Sequence, residues 1–339
     1  MTDDMSYPIG TGDFAAIVDV LKEKRDFLFL LHVQPDGDSI GSTLALGLAL
    51  AKWGKKVTMV KVDDLPELYS FLPGLDRFVS WQEVKGEFDA VIFLDCGALD
   101  RTGEAAVLAE RAKVKINVDH HVTNAMFGDL NYVDPRCSAV GEQVYQLLHA
   151  AEYPLDEESA VALYTSIATD TGNFRYENTT VDSHLITAHL MTFGVEPNLV
   201  SQAIYDNKSV AGTLLLAKAL ETLEVSADGL VASVLVSQDM YRDTGSTPQD
   251  TEGFVGFPRG LKGVEVGLMF RELENGQVRV ALRSRGQVDV SRVAQRWAGG
   301  GHPRAAGCHF PGGLAEARKQ VTEESLRAAR EAQALAPVR

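Results

Sequence analysis

Four short apolar runs mark out the first half of the chain: "FLFLLHV" (27–33), "KVTMV" (56–60), "AVIFLDC" (90–96) and "VKINVDHH" (114–121). Between the first two, "SIGSTLALGLALAKWG" has a helical pattern and Gly54 as a stop signal. A second helix is expected between Thr102 and Ala112. Strand-length runs alternating with helical segments specify a parallel sheet with helices on both faces. "AVGEQVYQLLHAAEYP" and "EESAVALYTSIATDTG" read as a helical pair.

From about Met191 the pattern becomes helical and continuous, through "MTFGVEPNLVSQAIYDNKSVAGTLLLAKALETL". Beyond it come the β-rich runs "LVASVLVS", "GVEVGLMFREL" and "QVRVALRSR", then helices at "DVSRVAQRWAGGG" and "LAEARKQVTEESLRAAREAQAL". The expected fold is α/β: a parallel-sheet domain with flanking helices over 1–193, a helical connection over 194–222, and a smaller α+β domain over 223–339 across a cleft. At 339 residues and 45% hydrophobic content, the chain can bury two cores.

The acidic and imidazole groups of the first half share a topological address. His32, Asp36 and Asp38 follow the first run in "HVQPDGDSIGS", Asp95 ends "VIFLD", and Asp119, His120 and His121 end "KINVDHH". Each cluster lies at the carboxyl end of an expected parallel strand, where open α/β sheets bind ligands. Asp170, ending the helical run in "IATDTG", can reach the same edge. Singly, each has a bland reading. An aspartate after a strand often caps a helix, and a lone histidine is more often structural than a ligand. Together, carboxylates gathered at strand ends repel one another and call for a cation. Carboxylates with added imidazoles suit transition metals, Mn²⁺ among them. Two such ions about 3.5–4 Å apart can share a carboxylate and activate a water for in-line attack on phosphorus.

An excess of 47 acidic over 32 basic residues gives a net charge of −15. That argues against a surface for long duplex nucleic acid, but not against a small anionic substrate held by a few arginines and a metal. Cys96, Cys137 and Cys308 are scattered and lack zinc spacing, which points to a reduced compartment. "MTDDMSYPIGTGDF" lacks the regions of a signal peptide, and no run reaches membrane-spanning length. A cytoplasmic protein with no membrane partner is expected.

"HVQPDGDSIGS", "FLDCGALDRTG", "NVDHH" and "YTSIATDTG" resemble, in order, the motifs of the DHH phosphoesterase superfamily. "GGGHPRAAG", with "FVGFPRGLKGVEVGLMF" and "ALRSRG", resembles the DHH-associated domain. The likeness spans nearly the whole chain and is strongest to the NrnA-like subgroup. It implies a hydrolase that degrades short RNA oligonucleotides (nanoRNA) to nucleoside 5′-monophosphates and 3′-phosphoadenosine 5′-phosphate (pAp) to AMP. It implies two divalent ions, Mn²⁺ by preference. His32, Asp36 and Asp95 resemble the ligands of one; Asp38, Asp95, His120 and Asp170 resemble those of the other, with Asp95 bridging. By the same resemblance, His121 contacts the scissile phosphate and Asp119 orients a ligand imidazole. Arg101, Arg283, Arg285, His302 and the backbone of Gly299, Gly300 and Gly301 bind substrate phosphate. Hydrolysis of cyclic or linear dinucleotides and non-catalytic nucleotide binding stay open as alternatives. The oligomeric state is not set by the sequence, and dimers are common in the family.

Overall fold

The structure is a computed structural model that describes residues 12–286 and 288–335. The chain divides into two compact units, Met1–Asn207 and Lys208–Arg339. Six strands build the first: β1 (Asp26–Leu30), β2 (Lys56–Lys61), β3 (Phe78–Ser80), β4 (Phe88–Leu94), β5 (Ala112–Asp119) and β6 (Leu130–Val133). They form one sheet in the order β3-β2-β1-β4-β5-β6, with every pair parallel. Its helices are α1 (Phe14–Glu23), α2 (Gly37–Lys52), α3 (Val140–Ala150), α4 (Glu157–Asp170), α5 (Val181–Met191) and α6 (Pro197–Tyr205).

β1 is an unbroken apolar run because both faces of the sheet are covered. Phe27 and Phe29 join Ile40, Leu44 and Leu48 of α2 in one core, while Leu28 and Leu30 join Val91, Phe93 and Leu108 in another. β1 and β4 are neighbours, yet the chain leaves β1 toward β2 and leaves β4 toward β5. This is the point where the strand order reverses, and open α/β sheets bind ligands at the carboxyl ends of such a point. α2 packs closely on α4 through glycine. A Cβ on Gly41 would lie 2.5 Å from the Ala162 carbonyl oxygen, and one on Gly37 would lie 2.5 Å from Thr169 Oγ1.

Two expectations differ in detail. The helix expected at Thr102–Ala112 is a run of 3₁₀ turns over Leu99–Arg111, interrupted where Gly103 takes φ +56°. The helical stretch after α5 is likewise broken, at 206–209, between α6 and α7 (Val210–Glu221), and α7 belongs to the second unit.

That unit continues with β7 (Glu224–Val225), β8 (Val231–Val236), α8 (Gln238–Thr244), α9 (Gly256–Arg259), β9 (Val266–Glu272), β10 (Val278–Ser284), α10 (Val290–Gln295), β11 (Gly300–His302), β12 (Ala305–Phe310) and α11 (Leu314–Leu335). Its sheet runs β11-β12-β10-β9-β8-β7, antiparallel except for the β8–β9 pair. Val278, Val280 and Leu282 face the apolar side of α10 and α11. On the other face, Leu215, Ala219 and Tyr241 from α7 and α8 cover Val234, Val236 and Met269 of β8 and β9. Among the described residues no helix is long and apolar enough to cross a membrane.

Candidate metal centre

Asp36 caps α2: its Oδ1 accepts from the backbone N–H groups of Asp38 and Ser39, each at 3.1 Å. The capping role open to any aspartate in this loop is therefore real for Asp36. Within the first turn of the helix, Asp38 is buried and held by three donors. Its oxygens accept from the first amides of α3, Val140 N at 2.8 Å and Gly141 N at 3.2 Å, and from Ser166 Oγ of α4 at 2.5 Å. Helix N-terminal amides favour such an anion.

Asp95 leaves β4 with φ +57°, its amide donating to the Val118 carbonyl at 3.1 Å. Its two oxygens face different imidazoles. Oδ2 lies 3.7 Å from His32 Nε2, and Oδ1 lies 3.6 Å from His120 Nε2. Each ring is oriented by its other nitrogen, since His32 Nδ1 bonds the Val33 carbonyl at 2.9 Å and His120 Nδ1 bonds the Cys137 carbonyl at 3.1 Å. His120 Nε2 also lies 3.9 Å from Asp38 and 3.8 Å from Asp170. Ligand atoms of His32, Asp36 and Asp95 form one group within 4.8 Å of one another, and those of Asp38, His120 and Asp170 form another.

A third such group joins Asp95, His120 and His121. His121 differs from the other two histidines in its partner. Its Nδ1 lies 2.7 Å from Asp119 Oδ1, closer than the 3.5 Å to Asp95. Asp119 is fully buried and also accepts from the His120 amide at 2.9 Å and from Asn124 Nδ2 at 2.5 Å.

The electrostatics match a cation site. Burial, then the charges of Asp36, Asp38, Asp119 and Asp170, push Asp95 well above the usual carboxylate range. Asp170 is pushed up to about 8 by burial, against the pull of His120. Burial keeps His32 below its ordinary value and thus neutral, as a metal-ligating imidazole must be. For His120, the charges of Asp170 and Asp38 outweigh burial and raise it. Burial also raises Asp119, but the His121 hydrogen bond and charge and the Asn124 amide outweigh it and leave it ionised. Buried Asp95 Oδ1 has no hydrogen-bond partner. A buried, unsatisfied carboxylate oxygen that faces imidazole nitrogens fits a cation ligand better than a structural hydrogen-bond acceptor.

Three supports escape a reading of the sequence: Ser166 on Asp38, Asn124 on Asp119, and Asn178, whose Nδ2 donates to Asp170 Oδ2 at 3.1 Å. Ser166 and Asn124 lie within or just beyond the quoted motifs, but nothing local to them marks a carboxylate partner. Arg101 is exposed in the 3₁₀ segment, and its positive charge reaches His32.

In the second unit, Arg283 projects from β10 half-buried and Arg285 follows it exposed. The glycine run divides by role. A Cβ on Gly299 would collide with the Gly307 carbonyl, and one on Gly301 with that of Ala305, so both serve the close approach of β11 to β12. Gly300 alone of the three faces open space. His302 pairs in register with Ala305, and its side chain lies outside the described residues.

The chain matches the family models described as "DHH family, N-terminal domain" over residues 26–167 and "DHHA1 domain" over 228–332. It is 33% identical over 309 residues to the "Bifunctional oligoribonuclease and PAP phosphatase NrnA" of Thermus thermophilus, covering 91% of each chain. Against the protein of that name from Bacillus subtilis it is 29% identical, over 81% of this chain and 86% of the relative. The crystal structure of an exopolyphosphatase-related protein from Bacteroides fragilis superposes with a TM-score of 0.88 at 27% identity, covering 93% of this chain and 95% of that one.

Proposed function

The chain belongs to the DHH family of phosphoesterases and carries a DHHA1 domain, and from that premise we propose that it hydrolyses short RNA oligonucleotides to nucleoside 5′-monophosphates and pAp to AMP. The observation that carries the reading is Asp95, whose two oxygens face two separate groups of imidazole and carboxylate ligands.

The donor set fits two divalent cations. His32, Asp36 and Asp95 would hold one; Asp38, Asp95, His120 and Asp170 would hold the other, and the mix of imidazole and carboxylate suits Mn²⁺. When bound, the ions supply Lewis-acid polarisation of the phosphoryl group and a water of lowered pKa. The chain's own groups do the rest. Both reactions break the bond between phosphorus and a 3′ oxygen, so one general acid serves both. His121 fills that role as an imidazolium: Asp119 accepts from its Nδ1 at 2.7 Å and orients the ring, and Nε2–H gives its proton to the departing oxygen. Ionised Asp119 also stabilises the protonated ring. In the first unit Arg101 binds phosphate oxygens. In the second, Arg283 and Arg285 do so, with Arg283 suited to a bidentate grip. There Gly300 offers backbone to the phosphate, and His302 adds a donor. The three buried, free cysteines support a reducing, cytoplasmic setting.

The test is a side-by-side turnover assay of the full chain with Mn²⁺ on pAp, di- to pentaribonucleotides and a cyclic dinucleotide. AMP from pAp and 5′-monophosphates from the oligomers are expected. Turnover of the cyclic dinucleotide alone would move the enzyme to that substrate class, and binding without turnover would make it a nucleotide sensor.

A further inference from the structure

Directly after Asp170 the backbone makes an unusual turn. Gly172, Asn173 and Phe174 take φ +58°, +59° and +61° in succession. Left-handed residues ordinarily occur singly, and a bulky one such as phenylalanine is an outlier there. Local contacts hold the turn in place. The Phe174 amide donates to Thr171 Oγ1 at 3.1 Å, and its ring stacks on that of His184 with centroids 5.1 Å apart. Arg175 Nε donates to the Gly172 carbonyl at 2.7 Å, and Asn178 Nδ2 returns to the Asp170 carboxylate at 3.1 Å. Backbone strain of this kind persists only where the surroundings over-determine it, and it gathers at functional sites.

What the turn presents is Tyr176, a residue that none of the roles above uses. Its amide donates to the Thr171 carbonyl at 3.0 Å. A Cβ built on Gly172 would lie 2.3 Å from Tyr176 Cζ and 2.5 and 2.6 Å from its two Cε atoms. Near-equal distances to Cζ and to both of its ring neighbours put that point over the face of the ring, not at its edge. The phenol therefore lies flat on the Gly172 backbone, an approach that a side chain at 172 would block. With one face seated there, Tyr176 is still 42% exposed. Gly172 is two residues from Asp170, at most about 7 Å along the chain. A nucleotide with its phosphate at the metal centre carries its base on the far side of the sugar, within reach of this ring.

We propose that Tyr176 is a stacking platform for the base of the nucleotide whose phosphate sits at the metal centre. This rests on the phosphoesterase reading. Stacking on an aromatic face tolerates any sequence, because every base has a π-face. A ring fixed by a glycine seat loses little conformational freedom when the base arrives, and it suits an enzyme that takes oligomers of mixed sequence.

The test uses pAp and the same sugar bisphosphate without its base, on the Mn²⁺-loaded full chain, in wild type, Tyr176→Ala, Tyr176→Phe and Tyr176→Trp. The kcat/KM for pAp should fall about tenfold in Tyr176→Ala, the effect of losing one base–aromatic stack. The loss should appear in KM rather than kcat and recover in Tyr176→Phe. For the base-less compound, wild type and Tyr176→Ala should have the same KM, since there is no base to stack. A rise as large for that compound would make Tyr176 a support for Asp170 and overturn the platform, and so would an unchanged KM for pAp. If Tyr176→Ala does not fold, Tyr176→Trp decides. Its emission beyond that of the three native tryptophans should be quenched saturably by AMP, and emission that AMP leaves unchanged overturns the platform. Should the wild type turn over neither compound, the phosphoesterase reading fails on its own, and the same AMP titration judges the platform.

Discussion

Asp95 and His120 meet at 3.6 Å, carboxylate Oδ1 to imidazole Nε2, with no hydrogen-bond donor on that buried oxygen. The other oxygen of the same carboxylate faces His32. One side chain thus joins two ligand groups that arrive from the ends of β1, β4 and β5 and from α2 and α4.

Asp95→Asn is the most direct probe of that arrangement. Asparagine tolerates the left-handed backbone that Asp95 adopts at φ +57°, so the fold should survive. Turnover should be lost. In the metal-free state the variant should melt no lower than the wild type, because a carboxylate has left a crowd of carboxylates. Titrating Mn²⁺ to about 100 times its Kd should stabilise the wild type by about 2.7 kcal/mol and the variant far less. Near-normal turnover in metal-saturated Asp95→Asn would sink the two-ion reading.

His121 and Asp119 should separate from the metal ligands by their readout. His121→Gln should lower kcat by about 10²–10⁴-fold while metal content, measured by elemental analysis, stays at the wild-type level. Asp119→Asn should cost about 10–100-fold, as loss of an orienting partner does. Depletion of metal in His121→Gln would instead make this ring a ligand.

Glu142 offers a pH test at a carboxyl outside the three ligand groups, although its charge reaches Asp38 and Asp170. It is 2% exposed and hydrogen-bonded to Ser138, and burial pushes its carboxyl up to about 7 from an ordinary 4.5. The folded chain keeps a proton there that the unfolded chain releases. Its contribution is therefore fully present below pH 4.5 and is lost as pH rises through about 7. Thermal melts of metal-free wild type and Glu142→Gln between pH 5 and 8 should diverge as pH rises. The variant should become the more stable, by at most about 3 kcal/mol. Parallel profiles would show that Glu142 ionises as readily folded as unfolded.

Gly41→Ala tests the packing that assembles the centre. The new methyl would lie 2.5 Å from the Ala162 carbonyl and force α2 off α4. Destabilisation of about 1–3 kcal/mol is expected, with a loss of turnover at temperatures where the variant is still folded, since Asp38 would move away from Ser166 and Asp170. Full activity in a folded Gly41→Ala chain would show that this close approach does not set the site.

The local features were legible in the sequence because they are written in short spacings. The apolar runs of β1, β4 and β5 carry their own length, and the aspartates and histidines after them stand at the strand ends whatever the sheet order. The helical patterns of α2, α3 and α4 are equally local. What needed the tertiary structure is what joins distant residues. The order β3-β2-β1-β4-β5-β6 decides that the ends of β1 and β4 adjoin, and no spacing along the chain records that pairing. Asp38 is held by amides 102 and 103 residues away and by a hydroxyl 128 residues away, so its partners have no sequence signature. The glycines of "GGGH" look alike in sequence. Only the packing of β11 on β12 assigns Gly299 and Gly301 to strand contact and leaves Gly300 open.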